Sequence, residues 1–173
     1  EAYVDFGAHS SVGLTEKYEN LLVTGTFSKS RSLAGMRIGF AIGSEKLIST
    51  LEGVKNSYNS YTVNSVAMAA GTAAINDVAY FRKTVSIVIR TRERVKNELR
   101  ELGFEVLDSK TNFLMATHPK KDMKDYFEYL KTQKVFIRYF NKPRINKYVR
   151  ITIGTDAEMD IFLKKTKEYL KLK

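Results

Sequence analysis

Cysteine is absent from the 173 residues. That excludes a disulfide framework, a thiolate metal site and a cysteine nucleophile, and it suits a reducing compartment, with the cytoplasm as the expected location. Histidine is nearly absent: His9 and His118 have no second histidine at ligand spacing, so no metal site is expected. Both prolines, Pro119 and Pro143, fall in stretches that read as loops. No stretch reads as a signal peptide and no apolar run is long enough to cross a bilayer. Gly35 and Gly39 have small-xxx-small spacing, but they enclose Arg37, which suits a strand better. Internal repeats and low-complexity tracts are absent as well.

What is present is enough apolar material, 43% of the residues, for one sizeable core and a piece of a second. The chain starts with Glu1 rather than Met, and Tyr3, Val4 and Phe6 read as a strand that begins almost at once. It is therefore expected to be a fragment whose upstream part is missing. The net charge of +10 invites a nucleic-acid reading, because a basic surface attracts phosphate whatever its sequence. The cations are dispersed, however. Clusters such as Arg90 to Arg94, Lys120-Lys121 and Lys164-Lys165 lie among acidic residues, and no RNP, KH or zinc-finger pattern accompanies them. A solvated basic surface or an anionic small-molecule substrate accounts for the charge better, and neither nucleic acid nor membrane is expected as a partner.

Along the chain, Tyr3 to Phe6, Leu21 to Phe27 and Met36 to Ile42 read as strands of a buried sheet, each bounded by Gly, Ser or Asn. From Ser44 the period changes. Leu47, Leu51 and Val54 fit one helix, and Val66 to Ile75 fits another, apolar nearly all round and so expected to be buried. Val78, Phe81, Val85, Val88, Val95, Leu99 and Leu102 then recur at helical steps with Arg and Lys on the other face, and Gly103 stands where the helix should stop. Strands are expected at Phe104 to Leu107, Asn112 to Ala116, Val135 to Phe140 and Tyr148 to Ile153, with a helix at Met123 to Leu130. A closing helix, Met159 to Leu170, opens with Thr155 and Glu158 at capping-box spacing. From residue 78 onward this reads as a self-contained small α/β domain.

The chemistry is concentrated in residues 26–40, Thr-Phe-Ser-Lys-Ser-Arg-Ser-Leu-Ala-Gly-Met-Arg-Ile-Gly-Phe. Lys29 follows an apolar strand and is flanked by hydroxyls; Arg37 opens the next apolar run. The set suits an aldehyde cofactor that bears a phosphate: a lysine amine can bond the aldehyde, and a guanidinium fork with hydroxyls can hold phosphate oxygens. A lysine after a strand is by itself an ordinary surface charge, and Ser-Lys-Ser an ordinary polar loop. It is the whole pattern that resembles the attachment segment of fold-type I pyridoxal-phosphate enzymes, specifically the class that contains the histidinol-phosphate aminotransferases.

That resemblance implies roles for particular residues. Lys29 would form the Schiff base with pyridoxal 5'-phosphate and, once freed by substrate, act as general base at the substrate Cα. Arg37 would bind the cofactor phosphate, with Thr26 and Ser28 as its hydroxyl partners. Glu1 to Phe6 resembles the family's Asp-Glu-Ala-Tyr segment, so Tyr3 would donate to the cofactor's phenolic oxygen. The aspartate that pairs with the pyridine nitrogen would fall one position before Glu1. Tyr148 to Thr155 resembles the carboxylate-binding strand. There Val149, Ile151 and Ile153 should face one way and Arg150 the other, free to grip an α-carboxylate. Arg138 lies where histidinol-phosphate transaminases keep an arginine for the substrate phosphate. Asn112 matches a family position more structural than catalytic, and Ser30-Arg31-Ser32 departs from the residues that relatives often carry.

The resemblance thus implies an α/β fold: the C-terminal part of the large cofactor-binding domain of a fold-type I aminotransferase, residues 1–77, followed by the small C-terminal domain, residues 78–173. It implies a homodimeric parent enzyme that moves an amino group between L-histidinol phosphate and 2-oxoglutarate. An aromatic or other amino-acid aminotransferase, or a threonine-phosphate decarboxylase, stands as an alternative. So does a non-catalytic fragment or binding module, since a site without its pyridine partner and half its phosphate cup should turn over little substrate. An uncovered apolar face, and self-association through it, is expected of the isolated chain.

Overall fold

The computed structural model describes residues 1–171. They divide into two compact units, Glu1–Val85 and the residues from Ser86 onward, whose division falls inside the longest helix.

The first unit is organised on two antiparallel strands, β1 (Leu22–Thr26) and β2 (Gly39–Gly43), with Leu22 opposite Gly43 and Thr26 opposite Gly39. A Cβ on Gly25 would lie 2.2 Å from the Phe40 ring, so glycine is what lets that ring lie over the strand pair. The ends are joined by residues 27–38, which include a short 3-10 turn at Ala34–Met36. Two helices follow. The Ser44 hydroxyl accepts from Leu47 N to start α1 (Glu45–Tyr58), and the Asn64 side chain accepts from Ala67 N to start α2 (Ser65–Asn76). Each cap satisfies an amide that the helix itself leaves without a partner. At Gly71, α2 meets Ile38 and Phe27 so closely that an added Cβ would come within 2.9 Å of Ile38 Cδ1. Phe6, Val23, Phe27, Ala67 and Val85 are the buried apolar residues of this unit.

Three expectations need correction here. Tyr3 to Phe6 is not a strand but a 3-10 turn over Val4–Phe6: Phe6 N donates to Tyr3 O, and Gly7, with φ of 101°, reverses the chain. Its apolar residues lack a period of two, and only Phe6 is buried. The strand pair is not a buried sheet, because Phe40 and Ile42 lie exposed. Nor is α2 buried all round. Ala67 and Gly71 alone are buried, while Val66, Met68 and Ile75 are more than half exposed, because only one side of the helix meets Phe27 and Ile38.

In the second unit, α3 (Val78–Glu101) ends as expected at Gly103. Gly103 N donates to Arg100 O and Phe104 N to Leu99 O, with Gly103 left-handed at φ of 87°; this is the Schellman arrangement that glycine favours. A four-stranded antiparallel sheet follows, in the order β3 (Glu105–Val106), β4 (Phe113–Thr117), β6 (Val149–Thr152), β5 (Arg138–Tyr139). The outer strands β3 and β5 are shorter than the apolar runs around them. Helices α4 (Met123–Thr132) and α5 (Asp156–Leu170) complete the unit. The predicted capping box is in place: Thr155 N donates to Glu158 Oε2 at 2.7 Å, and Glu158 N to Thr155 Oγ1 at 3.3 Å.

One cluster forms the core: Val95 and Leu99 from α3, Leu114 and Ala116 from β4, Val149 and Ile151 from β6, Tyr126 and Leu130 from α4, and Phe162 and Leu163 from α5. Each large side chain here contributes about 1.5–3 kcal/mol by leaving water. Buried Arg92 is satisfied by Thr111 O and Glu93. On the surface, Arg94 ties α3 to Asp160 at 2.7 Å and Asp156 at 3.4 Å on α5.

Candidate active site

The local geometry of residues 26–38 places the predicted attachment residues on one turn. Phe27 N donates to Ile38 O at 3.1 Å, extending the β1–β2 pairing by one bond. Beyond it the chain folds back, with Ser32 N donating to Lys29 O at 3.1 Å and Leu33 N to Phe27 O at 3.0 Å. Lys29 lies at the exposed tip, its Nζ 5.6 Å from the centre of the Tyr3 ring. The Thr26 and Ser28 hydroxyls are 2.9 Å apart, and Thr26 Oγ1 also accepts from Ser28 N at 3.1 Å and reaches Ile38 O at 3.2 Å.

Arg37 stands at the start of the returning strand in a left-handed conformation, φ of 56°, which costs a non-glycine residue about 1 kcal/mol or more. Its guanidinium is exposed, with one nitrogen donating to Ala34 O at 2.8 Å. Tyr3, Thr26, Ser28 and Lys29 are thus gathered together, and Arg37 adjoins Ile38, which Thr26 contacts. The Tyr3 segment is itself anchored: Asp5 accepts from Ser30, and the Glu1 carboxylate accepts from Ser11 N and from Ser10 at 2.8 Å. The Ser11 N–H, and after it the Ser10 hydroxyl, holds the Glu1 carboxyl below the usual carboxylate range.

An amine at a turn tip, two hydroxyls and a guanidinium, all carried by one loop, suit a ligand with an amine-reactive carbonyl and a phosphate. Two hollows adjoin the turn, one of about 310 Å³ lined in part by Asp5, Thr26, Ser30 and Phe40. The other is of about 240 Å³ and is lined by Ser30, Arg31, Ser32, Ala74, Tyr80 and Phe81.

In the second unit, Arg138 and Arg150 are direct partners across β5 and β6. The expected alternation holds, with Val149, Ile151 and Ile153 buried and Arg150 on the opposite face. The Arg150 guanidinium lies 5.2 Å from the Phe113 ring and 5.8 Å from the Phe140 ring; that of Arg138 lies 5.1 Å from Phe140. Two like charges paired across strands repel each other, and Arg150 Nε is buried without a hydrogen-bond partner. An anion between the two guanidinium groups would relieve both conditions. From β5 to Arg150, residues 138–150 carry no acidic residue.

From the sequence, Ser30 and Arg31 stand out only as a departure from the residues that relatives often carry, and Asp5 has no expected role. Ser30 is buried and donates to Asp5, while Arg31 donates to Ala74 O and stacks on Phe81. Their partners lie far away in sequence, so no local pattern shows these contacts. No group of three or more His, Cys, Asp or Glu side chains able to hold a metal occurs among the described residues, and none of their helices is long and apolar enough to cross a membrane.

A two-stranded lysine turn followed by a small antiparallel α/β unit is the arrangement of fold-type I aminotransferases. The histidinol-phosphate aminotransferase of Clostridium acetobutylicum shares the fold with a TM-score of 0.89 at 22% identity, over 99% of this chain and 53% of that one. The enzyme of Sinorhizobium meliloti, solved in complex with pyridoxal-5'-phosphate, matches with a TM-score of 0.83 at 26% identity, over 99% of this chain and 47% of that one. The profile of aminotransferase class I and II matches residues 1–165, and the chain belongs to that family. Among curated relatives, the histidinol-phosphate aminotransferase of Brachyspira hyodysenteriae (strain ATCC 49526 / WA1) is 54% identical over 172 residues, 99% of this chain and 49% of its own length. That of Lactococcus lactis subsp. cremoris (strain SK11) is 53% identical over 173 residues, 100% of this chain and 49% of its own. The chain spans about half the length of these relatives.

Proposed function

We propose that this chain is the lysine-bearing and anion-binding part of a histidinol-phosphate aminotransferase that uses pyridoxal 5'-phosphate, exchanging an amino group between L-histidinol phosphate and 2-oxoglutarate. Residues 1–77 belong to the large domain in this reading and residues 78–173 to the small one. The observation that carries it is the turn itself: Lys29 at its tip, the Thr26 and Ser28 hydroxyls 2.9 Å apart beside it, and the Tyr3 ring 5.6 Å from the lysine amine. Support comes also from the identity, above one half along the whole chain, to relatives named for that activity.

When bound, pyridoxal 5'-phosphate supplies an aldehyde that exchanges amines and a conjugated ring that takes up the electrons of the substrate Cα. The chain's own residues do the rest. Lys29 would hold the cofactor through its amine, and that amine, once freed by substrate, would take the proton from the substrate Cα as general base. Arg37 holds the phosphate by charge-assisted hydrogen bonds, and Thr26 and Ser28 offer hydroxyl donors to the same group. Tyr3 orients the ring by donating to its phenolic oxygen. Arg150 fixes a carboxylate of substrate or oxo acid, and Arg138 draws the donor's phosphate to the β5 and β6 pair, whose connecting residues 138–150 include no acidic side chain. The working enzyme is a homodimer in this reading.

The test is to incubate the chain with pyridoxal 5'-phosphate, reduce with borohydride and map the labelled peptide by mass spectrometry. Label concentrated on Lys29 is expected; label spread thinly over many lysines would overturn the assignment.

A further inference from the structure

The turn that presents Lys29 is fastened from behind by Arg31. Its guanidinium donates to the Ala74 carbonyl and lies 4.1 Å from the centre of the Phe81 ring and 5.7 Å from that of Phe27. Ala74 is in the last turn of α2, where carbonyls have no intrahelical partner and the helix dipole gathers partial negative charge. A planar cation meets both demands at once, donating in its plane to the carbonyl while its face stacks on an aromatic ring. Lysine would keep the charge but not the plane.

The backbone on either side of Lys29 is held with equal firmness. Ser30 is 8% exposed and donates to Asp5. Ser32 is left-handed, φ of 55°, a conformation a serine keeps only where its surroundings enforce it. A polar loop that served only as a link between β1 and β2 would need none of these contacts.

We propose that Arg31 is a positioning residue for Lys29: by docking the turn on the C-terminal end of α2 and on Phe81, it sets the direction in which the lysine amine leaves the turn, and so how readily that amine engages an aldehyde. This rests on the reading of Lys29 as the cofactor-bearing lysine. The step it governs is condensation of the amine with the aldehyde, in which a C=N bond forms and one water leaves. Borohydride then delivers hydride to the carbon and fixes the product as a secondary amine.

The experiment compares the chain with Arg31→Lys and Arg31→Leu in the rate of pyridoxal 5'-phosphate labelling at Lys29 relative to the remote Lys120, together with circular dichroism and amide hydrogen exchange at Ser32 and Leu33. Arg31→Lys is expected to keep the wild-type dichroism, to slow labelling at Lys29 about tenfold or more while leaving Lys120 unchanged, and to speed exchange at both amides. Arg31→Leu should do the same or more, and if it fails to fold the lysine variant decides. Labelling of Lys29 at the wild-type rate in Arg31→Lys, or an equal loss at Lys29 and Lys120, overturns the proposal. If the unsubstituted chain does not label Lys29 preferentially, the cofactor reading fails instead. Hydrogen exchange then judges Arg31 alone: unchanged protection at Ser32 and Leu33 overturns its docking role.

Discussion

Replacing Thr166 with valine should destabilise the second unit more than replacing Tyr126 with phenylalanine, although both remove the same hydrogen bond. The two residues are fully buried and their hydroxyls are 2.7 Å apart. Thr166 has one hydroxyl hydrogen and gives it to Phe162 O at 2.9 Å, so in this pair Tyr126 donates and Thr166 accepts. Tyr126→Phe therefore leaves Thr166 with its hydrogen placed and loses one ordinary bond, about 1 kcal/mol. Thr166→Val strands a buried phenol hydrogen, for which the cost is that of an unsatisfied donor, roughly 1–3 kcal/mol. Ionisation offers no escape, because burial pushes the Tyr126 phenol far above its ordinary 10.0. The double variant removes the stranded group again and should be nearly as stable as Tyr126→Phe alone. The measurement is urea unfolding of the three variants, followed at the methyl resonances of Leu114 and Ile151, which share the core cluster with Tyr126 and are partners across β4 and β6. Tyr126→Phe as damaging as Thr166→Val, or a double variant as damaging as the two singles together, would refute the donor assignment.

Other consequences can be checked alongside. Arg150→Gln should weaken binding of a carboxylate or phosphate ligand at least tenfold, read by titration calorimetry, since a charge-assisted hydrogen bond contributes about 1.5–3 kcal/mol; unchanged affinity would remove Arg150 from the site. In acid the second unit should lose stability. The Thr91 hydroxyl, ahead of Arg90, holds the Asp156 carboxyl below its ordinary 3.8, and the Thr155 N–H holds Glu158 below 4.5. Because these groups bind protons more weakly folded than unfolded, their contribution is present above the unfolded values and disappears as pH falls through the folded ones, from about pH 5 downward. Unfolding midpoints that stay flat down to about pH 2 would contradict this. His118 should titrate below 6.5 by NMR, because burial, then the charge of Lys121, disfavours its protonated form. The apolar side chains Val54, Tyr58, Tyr61 and Val66 are all more than half exposed. Replacing Val54 and Val66 with lysine should lower the sedimenting mass of the chain if they mediate self-association, and an unchanged mass would assign that association elsewhere.

Some of this was legible because the physics is local. The stop of α3 at Gly103 needs only a glycine able to turn left-handed, the capping box of α5 needs only Thr155 and Glu158, and the outward face of Arg150 follows from alternation along one strand. That Thr26, Ser28, Lys29 and Arg37 come near one another was legible for a related reason: they are close in the chain, and a reversal between two strands groups them, whereas the role given to them came from the family resemblance. The Tyr3 segment misled because a few apolar residues suit a 3-10 turn as well as a strand, and nothing within them records the reversal at Gly7. The exposure of α2 was hidden because composition says how apolar a helix is but not what lies against it.

By itself, then, the sequence determined where α3 stops, where α5 starts and which face of β6 is apolar, since each depends on neighbours within a few positions. Only the tertiary structure decided that Arg31 reaches Ala74 and Phe81, that Asp5 holds Ser30, and that Arg138 stands opposite Arg150. Those pairings join residues distant in the chain, and register and packing, which no local pattern encodes, bring them together.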